Sequence, residues 1–350
     1  MPAAEPRSRE EMFKELFPEA PAFRWRQLAK ALFASAWRNW GDATNLPKEM
    51  KERLAAAVPW TTYAEAVTAA AQAGDTYKTA LKLLDGSGIE TVLMRNKRGE
   101  WTVCVSSQVG CAMKCAFCAT GRMGLARSLN ADEIVDQVRF WRGFLAERGL
   151  PGRISNVVFM GMGEPLANYE NVKKALKILL AHAGLGPTHI TVSTVGLIPR
   201  LEALLDDRDW PPVRLAVSLH SADLATRQKL MPTTYDRFLG DLADWCRRYA
   251  RRLGNRRHHL TFEYILLAGV NDTDRHAELL AKFAADAGRV KINLIPYNFT
   301  GSGFSGSAGE RAEQFVRLLT DRGLTATRRR SLGEDIAAAC GQLILESKKK

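Results

Sequence analysis

Four of the six cysteines lie within fifteen residues, in the stretch Cys104-Val-Ser-Ser-Gln-Val-Gly-Cys111-Ala-Met-Lys-Cys115-Ala-Phe-Cys118. The last three have the spacing C-x3-C-x2-C, which places three thiolates on one tight loop. Such a loop can bind three irons of a cubane cluster and leaves the fourth iron without a protein ligand. An open iron can bind the amino and carboxylate groups of S-adenosylmethionine (SAM) and transfer an electron to its sulfonium. The stretch therefore predicts an iron–sulfur cluster that cleaves SAM to a radical.

Three other interpretations of these cysteines stay open: a structural zinc site, a disulfide pair, and buried thiols that act as small apolar groups. A structural zinc site has four ligands, usually in two CxxC or CxxH halves, and no second half follows at a normal spacing. Disulfides need an oxidising compartment, and the sequence from Met1 to Glu10 contains no apolar signal segment. We favour the iron–sulfur interpretation, with zinc as its main competitor.

Length and composition set the broad class of protein. The 350 residues, 46% hydrophobic and 25% charged, suffice for one large domain with a small companion. No run reaches the ~18 uninterrupted apolar residues of a membrane span, so we expect no membrane partner and a cytoplasmic location. The net charge of +12 indicates a polyanionic partner. Basic clusters occur at Arg247 to Arg257, Arg328 to Arg330 and Lys348 to Lys350, although the first could be the solvated face of a helix.

The first part of the chain predicts a small N-terminal helical domain, residues 1–88. Met1 to about Glu19 is charged and contains proline, so we expect it to be frayed at its beginning. An amphipathic helix is predicted from Pro21 to Trp40, and another begins near Pro47, because proline suits an early helical position. The alanine-rich sequence from Tyr63 to Leu84 predicts further helix.

The second part, residues 89–350, predicts an α/β fold. A hairpin from Ile89 to Val105 leads into the cysteine stretch, and strands and helices then alternate about every 30 residues up to Arg329. This alternation predicts parallel strands with right-handed crossovers, closed or nearly closed into a barrel. The sequence contains about six such units, fewer than a complete α/β barrel has. Binding groups are then expected at the carboxyl ends of the strands.

Compact polar segments do follow the expected strands. Gly161-Met-Gly-Glu-Pro165 comes directly after the strand Val157 to Met160. Its Gly163 allows a ligand to approach the backbone closely, and its Glu164 offers a carboxylate to a bound ammonium. Three later strands end in segments that can hydrogen-bond a ribose, a carboxylate or an adenine edge: Ser193, the segment Ser218-Leu219-His220, and Asn298.

These motifs, in this order, resemble the radical SAM superfamily and, within it, the RlmN and Cfr group of RNA methyltransferases. Cys111 to Cys118 resembles the superfamily signature, and Cys104-Val-Ser-Ser-Gln resembles the segment ahead of it in that group. The resemblance runs from about Phe23 to Leu345, and its further motifs are Gly161–Pro165, Ser193–Gly196, Ser218–His220, Asn293–Asn298 and Asp335–Leu343. Phe299 departs from it, because the family commonly has proline after the asparagine.

The resemblance implies a fold and two cofactors. The fold is a radical SAM partial (β/α)6 barrel with an N-terminal helical domain that contacts RNA. The cofactors are a [4Fe-4S] cluster, bound by Cys111, Cys115 and Cys118, and SAM, used twice per turnover. The SAM site implied by the family consists of Gly163, Glu164, Ser193, Ser218, Leu219, His220 and Asn298.

The resemblance also implies the roles of two other cysteines. One SAM methylates Cys340, and a radical made from the second SAM removes a hydrogen from that S-methyl group. The methylene then adds to carbon 2 of an adenine, Glu90 accepts the carbon-2 proton, and Cys104 attacks the Cys340 sulfur to form a disulfide and release the product. The turn between Glu90 and Cys104 has one residue more than the family pattern. Cys246 is expected to be inert packing within a helix.

The implied substrates are an adenosine of 23S rRNA and the adenosine next to the anticodon of some tRNAs. An electron donor such as flavodoxin or ferredoxin and a monomeric enzyme are also implied. Three alternatives stay open: methylation at carbon 8 of the same rRNA adenosine, a non-catalytic iron–sulfur RNA-binding protein, and a metabolic radical enzyme without RNA. Pro165 favours carbon 2, because the carbon-8 subgroup has alanine there. The metabolic alternative leaves the net charge and Cys340 unexplained.

Overall fold

The computed structural model describes residues 6–34, 37–253 and 259–344. Helices α1 (Arg9–Leu16), α2 (Ala22–Ala31) and α3 (Lys48–Ala57) come first. Pro47 precedes α3, as the sequence predicts. The helix expected from Pro21 to Trp40 is shorter: α2 ends at Ala31, and a short 3-10 helix occupies Trp40–Asp42.

Helix α1 lies within the segment Met1 to Glu19, ahead of the first helix that the sequence predicts; Met1 to Glu5, at the beginning that is expected to be frayed, lie outside the described residues. Ser8 caps the helix, and Glu11 accepts a 2.8 Å hydrogen bond from the Ser8 backbone N–H. Arg9 is 1% exposed and forms ion pairs with Asp132 and Asp136. These long-range ion pairs hold α1 against the body of the protein.

The prediction of helix from Tyr63 to Leu84 is wrong. This segment forms strands β1 (Tyr63–Ala70) and β2 (Thr76–Leu83), which pair antiparallel, and β2 pairs with β3 (Gly88–Arg95). Its alanines favour helix locally, but pairing with β3 gives the backbone its hydrogen bonds in strand form and buries one face of β2. The expected boundary near residue 88 is thus a turn between two paired strands.

The remaining elements follow in an alternating order. They are β4 (Trp101–Cys104), β5 (Gln108–Cys111), α4 (Ala119–Met123), β6 (Gly124–Ser128), α5 (Ala131–Glu147), β7 (Ile154–Phe159), α6 (Tyr169–His182), β8 (Ile190–Thr194), α7 (Ile198–Asp206), β9 (Arg214–Ser218), α8 (Leu224–Leu230), α9 (Phe238–Arg252), β10 (Leu260–Leu266), α10 (Asp274–Ala287), β11 (Val290–Pro296), α11 (Gly309–Thr320) and β12 (Thr325–Arg328). Sequence analysis missed α8 and the short β5–β6 hairpin.

In the described part of the chain ten strands form one sheet, in the order β1-β2-β3-β4-β7-β8-β9-β10-β11-β12. Every neighbouring pair from β4 to β12 is parallel. Each strand from β4 to β11 is followed by at least one crossover helix before the next strand of the sheet, which confirms the six-unit partial barrel. The strands β1 and β12 are the two edges of this sheet.

The apolar core and the start of helix α5 can be attributed to particular residues of the sequence. The strands β7 to β11 and the inner faces of their helices bury a continuous apolar core that contains Trp101, Trp141 and Trp245. Helix α5 begins after Asn130, whose side chain accepts a 2.9 Å hydrogen bond from the Glu133 N–H and so caps the helix. No helix among residues 6–34, 37–253 and 259–344 is long and apolar enough to cross a membrane.

Candidate active site

A cavity with about 150 Å³ of solvent-accessible space opens at the carboxyl ends of the parallel strands. The structure brings most of the predicted site residues to its wall: Cys111, Cys115, Cys118, Gly163, Glu164, Ser193, Ser218, His220 and Cys340. Four predicted residues are not on the wall in the described structure: Cys104, Glu90, Leu219 and Asn298. Residues more than two hundred positions apart in the chain therefore share one cavity.

The three cysteines of the C-x3-C-x2-C motif lie on a loop with a fixed backbone. Lys114 takes the left-handed conformation (φ 54°), and the Cys118 N–H donates to the Cys115 carbonyl at 3.1 Å. Burial raises the pKa of the Cys111 thiol to about 11 and that of Cys115 further. Both thiols are therefore protonated at neutral pH until a metal replaces the proton, as expected of ligands that bind only when a metal is present.

The arrangement of the donors fits a cluster better than zinc. Among the described residues, no three His, Cys, Asp or Glu side chains converge closely enough to hold a single metal ion. Structural zinc requires four donors around one point. Three thiolates that each bind a different iron of a cubane need not meet at one point. The three cavity cysteines thus suit an iron–sulfur cluster with one open iron.

Glu164 and Gly163 form the wall beside the cysteines. Glu164 is 3% exposed; its two oxygens accept backbone N–H bonds from Leu166 at 2.9 Å and Val195 at 2.8 Å. Burial raises its pKa to about 7, and within the described chain no Lys or Arg forms an ion pair with it. A Cβ at Gly163 (φ 98°) would lie 2.5 Å from the Gln108 Cβ, so this position requires glycine. A buried carboxylate without a cation suits an ammonium ligand.

His220 lines the cavity, and Asn298 contacts the segment that carries Cys340. The Ile265 N–H donates to His220 Nδ1 at 3.1 Å, which leaves the proton on Nε2. Burial lowers the pKa of His220 to about 3, so the ring is neutral. The Asn298 Oδ1 is buried and has no hydrogen-bond partner in the described structure. This acceptor is free to take a hydrogen bond from a ligand donor.

The other three predicted SAM positions, Ser193, Ser218 and Leu219, differ in how they could contact a ligand. The Oγ atoms of Ser193 and Ser218 lie 3.4 Å apart on adjacent strand ends. Leu219 is fully buried, and only its backbone is polar toward its surroundings: its N–H donates to the Glu263 carbonyl at 3.0 Å. Any contact of Leu219 with SAM would therefore use the backbone.

Cys340 is carried into the cavity by a docked C-terminal segment. The segment's carbonyls accept hydrogen bonds from the start of α4 and from Asn298, just after β11: Ala119 N–H to Gly341 O at 2.8 Å, Thr120 Oγ to Leu343 O at 2.6 Å, and Asn298 Nδ2 to Cys340 O at 3.3 Å. Cys340 as a whole residue is exposed to solvent. Its thiol nevertheless lies in a buried environment, and this burial raises the pKa of the thiol. The segment thus places a free thiol beside the cluster cysteines.

The charge of Arg329 acts on the thiols of both Cys104 and Cys340. Sequence analysis did not identify this residue. It forms an ion pair with Glu263 at 3.4 Å, and both side chains line the cavity. Burial raises the pKa of the Cys104 thiol to about 12, and the charge of Arg329 opposes that rise in Cys104 and in Cys340. In the sequence Arg329 was only the middle of a basic cluster, and the direction of its side chain was not predictable.

Glu90 lies beneath the docked segment, away from the cavity wall. Its Oε1 forms a 3.0 Å ion pair with Lys78 Nζ, and its Oε2 accepts a 2.9 Å bond from the Ile344 N–H. Lys78 Nζ also donates to the Ala337 carbonyl at 3.2 Å. The carboxylate therefore contacts the same segment that carries Cys340.

The basic clusters predicted from the sequence differ in their ion pairing and in whether the structure describes them. On α9 three arginines form surface ion pairs: Arg247 with Asp244 and Asp286, Arg248 with Glu202, and Arg252 with Asp206. This part of the cluster is a charge-paired helix face. Arg256, Arg257 and Lys348 to Lys350 lie outside the described residues.

Comparison with known proteins agrees with this geometry. Residues 105–281 match the model of the Radical SAM superfamily. A protein of Moorella thermoacetica named probable dual-specificity RNA methyltransferase RlmN is 46% identical over 337 residues, which cover 94% of this chain and 93% of that protein. The dual-specificity RNA methyltransferase RlmN of Anaeromyxobacter dehalogenans is 42% identical over 93% of this chain and 86% of its own. The chain belongs to the RlmN family.

A solved structure supports the same assignment for the fold. The crystal structure of a radical SAM methyltransferase from Sphaerobacter thermophilus superposes with a TM-score of 0.87 at 39% identity, and the match covers 96% of this chain and 97% of that one. As an RlmN-family member, this protein is a SAM-dependent radical RNA methyltransferase. Its cofactors are SAM and an iron–sulfur cluster, and it acts on RNA substrates.

Proposed function

We propose that this RlmN-family enzyme methylates carbon 2 of an adenosine in 23S rRNA, and carbon 2 of the adenosine next to the anticodon in some tRNAs. The observation that carries the proposal is the position of Cys340, whose thiol shares one cavity with the three cluster cysteines and lies within electrostatic reach of Cys104. Transfer of a methyl group through a protein thiol requires both sulfurs near the SAM site.

The cluster is of the [4Fe-4S] type, held by Cys111, Cys115 and Cys118, and two SAM molecules are used per turnover. When bound, the cluster supplies the electron that cleaves SAM. Glu164 binds the ammonium of SAM, and Gly163 allows the close approach. Ser193, Ser218, His220, Asn298 and the backbone of Leu219 hydrogen-bond the remaining polar groups of SAM.

Cys340 carries the methyl group and Cys104 resolves the adduct. Arg329 stabilises the thiolate form of both sulfurs, since its charge favours ionisation that burial opposes. Carbon 2 of adenine is electrophilic, so a methylene radical on Cys340 adds to it and forms a carbon–carbon bond. The unpaired electron of this adduct returns to the bound cluster, and Glu90 accepts the carbon-2 proton. Attack of Cys104 on the Cys340 sulfur then forms a disulfide and breaks the sulfur–carbon bond, and the released carbon takes up a proton to leave a methyl group on carbon 2.

The partners follow from the same proposal. Unpaired adenosines of rRNA and tRNA can be splayed into the cavity without breaking a duplex. The helical segment before Ala57 contacts the RNA, a cytoplasmic flavodoxin or ferredoxin supplies electrons, and the enzyme acts as a monomer. Binding of RNA should weaken steeply as salt increases, because the +12 charge acts through counterion release.

The test is mass spectrometry of rRNA and tRNA from a strain in which the gene is deleted. We expect one methyl group to be lost from a 23S rRNA adenosine, with nucleoside standards that separate 2-methyladenosine from 8-methyladenosine. Loss of 8-methyladenosine would select the carbon-8 alternative, and unchanged RNA would contradict the proposal. Purified enzyme should methylate protein-free rRNA faster than assembled large subunits, in which the target is buried.

We expect SAM binding to weaken as the pH falls below about 7. Glu164 binds an ammonium only when ionised, and its pKa is raised to about 7. In the window from about pH 6 to about 7 the α-amino group of SAM stays charged, and neutral His220 does not titrate. The measurement is the Kd of SAM for the cluster-loaded protein across this window.

Glu164→Gln is the matched variant for this titration. Loss of the charge should raise the Kd by about tenfold, on the scale of a hydrogen bond to a charged group, and should flatten the pH profile. A variant that keeps the slope would assign the titration to another group.

Glu90→Gln should lower methylation of RNA by roughly 10²-fold, the usual contribution of a general base. Because Glu90 touches Ile344 but not the cavity wall, methylation of Cys340 itself should persist. Intact-protein mass spectrometry reports the added methyl group, and a tritium-release assay reports turnover. Loss of both would assign Glu90 to docking of the C-terminal segment.

A further inference from the structure

Arg227 is a fully buried cation that the proposed mechanism does not use. It lies on α8 and is 0% exposed. Its guanidinium donates to the Leu219 carbonyl at 3.0 Å, to the Val195 carbonyl at 2.8 Å, to the Ser218 carbonyl at 3.3 Å and to Thr234 Oγ. Every one of these acceptors is neutral. The guanidinium therefore has hydrogen-bond partners, but none of these partners carries a negative charge to balance its positive charge.

Other buried arginines of this chain have carboxylate partners. Arg9 forms ion pairs with Asp132 and Asp136, and Arg127 with Asp85 and Glu133. Within the described ranges Arg227 forms no ion pair with a carboxylate. Burial of an uncompensated charge is costly, and a folded protein retains such a group when an anion balances it.

The position of Arg227 indicates which anion that is. Burial lowers the pKa of Arg227 to about 9, and a negative charge on the Cys115 sulfur, as in a metal-bound thiolate, raises it. Helix α8 also supports the cysteine loop, because the Ala116 N–H donates to the Leu230 carbonyl at 2.9 Å. The Phe238 ring covers the guanidinium at 3.7 Å. Arg227 therefore lies between two strand ends and the loop that carries the cluster ligands.

We propose that the charge of Arg227 is balanced by the thiolate-ligated iron–sulfur cluster, and that Arg227 is a positioning residue that raises the cluster's reduction potential. This inference rests on the cluster of the proposed function. A low-potential one-electron carrier transfers one electron to the cluster, which becomes one unit more negative, while Arg227 keeps its proton throughout. A fixed cation in a poorly solvated site stabilises the more negative state.

The test compares Arg227→Met with Arg227→Lys in full-length protein that contains the reconstituted cluster. A redox titration followed by electron paramagnetic resonance measures the potential. Arg227→Met removes the charge and should lower the equilibrium constant for reduction at least tenfold, which is about 59 mV for a one-electron couple. Arg227→Lys keeps the charge and should retain most of the potential. Arg9→Met, the same change at a buried site paired with carboxylates, should leave it unchanged.

Equal shifts in Arg227→Met and Arg227→Lys, or no shift in either, would overturn the proposal. Unfolding of the apo and cluster-loaded forms separates charge pairing from simple packing. Arg227→Met should destabilise the loaded form more than the apo form, whereas equal losses would make Arg227 merely structural.

If the Met variant does not retain the cluster, Arg227→Gln replaces it. If neither neutral variant retains it, the apoproteins decide: neutral variants as stable as the wild-type apoprotein support the proposal, and a large loss of stability overturns it. Failure of the proposed function is distinguishable, because it would be seen as wild-type protein without iron or without RNA methylation. An active, cluster-loaded wild type with unshifted variants would refute only the role of Arg227.

Discussion

We expect Cys104→Ala to accumulate a covalent protein–RNA species and Cys340→Ala to form none. Cys340→Ala removes the methyl carrier, so neither methylated protein nor adduct can form. Cys104→Ala leaves the carrier intact and removes the thiol that attacks its sulfur. Product should fall below one methyl group per enzyme molecule, because each enzyme that reacts stays bound to its RNA. Denaturing electrophoresis with labelled RNA measures both outcomes.

The geometry explains why no other group should replace Cys104. It lies at the end of β4, is 7% exposed, and its burial excludes a competing nucleophile from the same position. Burial raises its pKa to about 12, and the charge of Arg329 opposes that rise and favours its ionisation. Attack must occur along the sulfur–carbon axis of the adduct, which a carboxylate or water readily misses.

Cys246→Ala is the matched control for both variants. This thiol is 1% exposed within α9, packs in the main core and does not line the cavity. The variant should turn over normally. Normal turnover by Cys104→Ala, or an adduct in Cys340→Ala, would show that the assigned roles are wrong while leaving the family assignment intact.

The parallel units could be predicted from sequence because each one is locally consistent. A strand such as β10 (Leu260–Leu266) is a short, mostly apolar run, and the following α10 (Asp274–Ala287) is amphipathic, so each can be recognised from its own residues. The β1–β2 hairpin lacks that consistency. Strand β1 is mostly exposed and rich in alanine, and its strand form depends on pairing with a neighbour that local sequence does not specify.

Local sequence also decides which site residues could be predicted and which could not. Glu164, Ser193 and His220 were found because they follow strands, and strand ends in a parallel barrel meet at one edge. Arg329 and Arg227 were missed for geometric reasons. Arg329 differs from its basic neighbours only in pointing toward the cavity, and Arg227 lies on a helix that sequence analysis did not assign.

The small core around Cys115 predicts how the protein responds to loss of a cluster ligand. Cys115 packs with Leu230, Met231 and Leu267 in a cluster separate from the main core. Replacing its sulfur by hydrogen removes about one heavy atom from this satellite, which costs on the order of 1 kcal/mol. Most buried residues of the barrel strands and their helices belong to the other core. Binding of the cluster and folding of the barrel should therefore be separable.

Cys115→Ala should abolish cluster binding and SAM cleavage while the barrel stays folded. Anaerobically reconstituted wild type should contain about four irons, since three thiolates can hold a cubane, and the variant should contain far fewer. Iron analysis, formation of 5′-deoxyadenosine and thermal melting by circular dichroism give the three measurements. Cys246→Ala should lose comparable stability yet keep its iron. Zinc without iron in the wild type would contradict the cluster, and with it the radical route that gives Cys340 and Cys104 their roles.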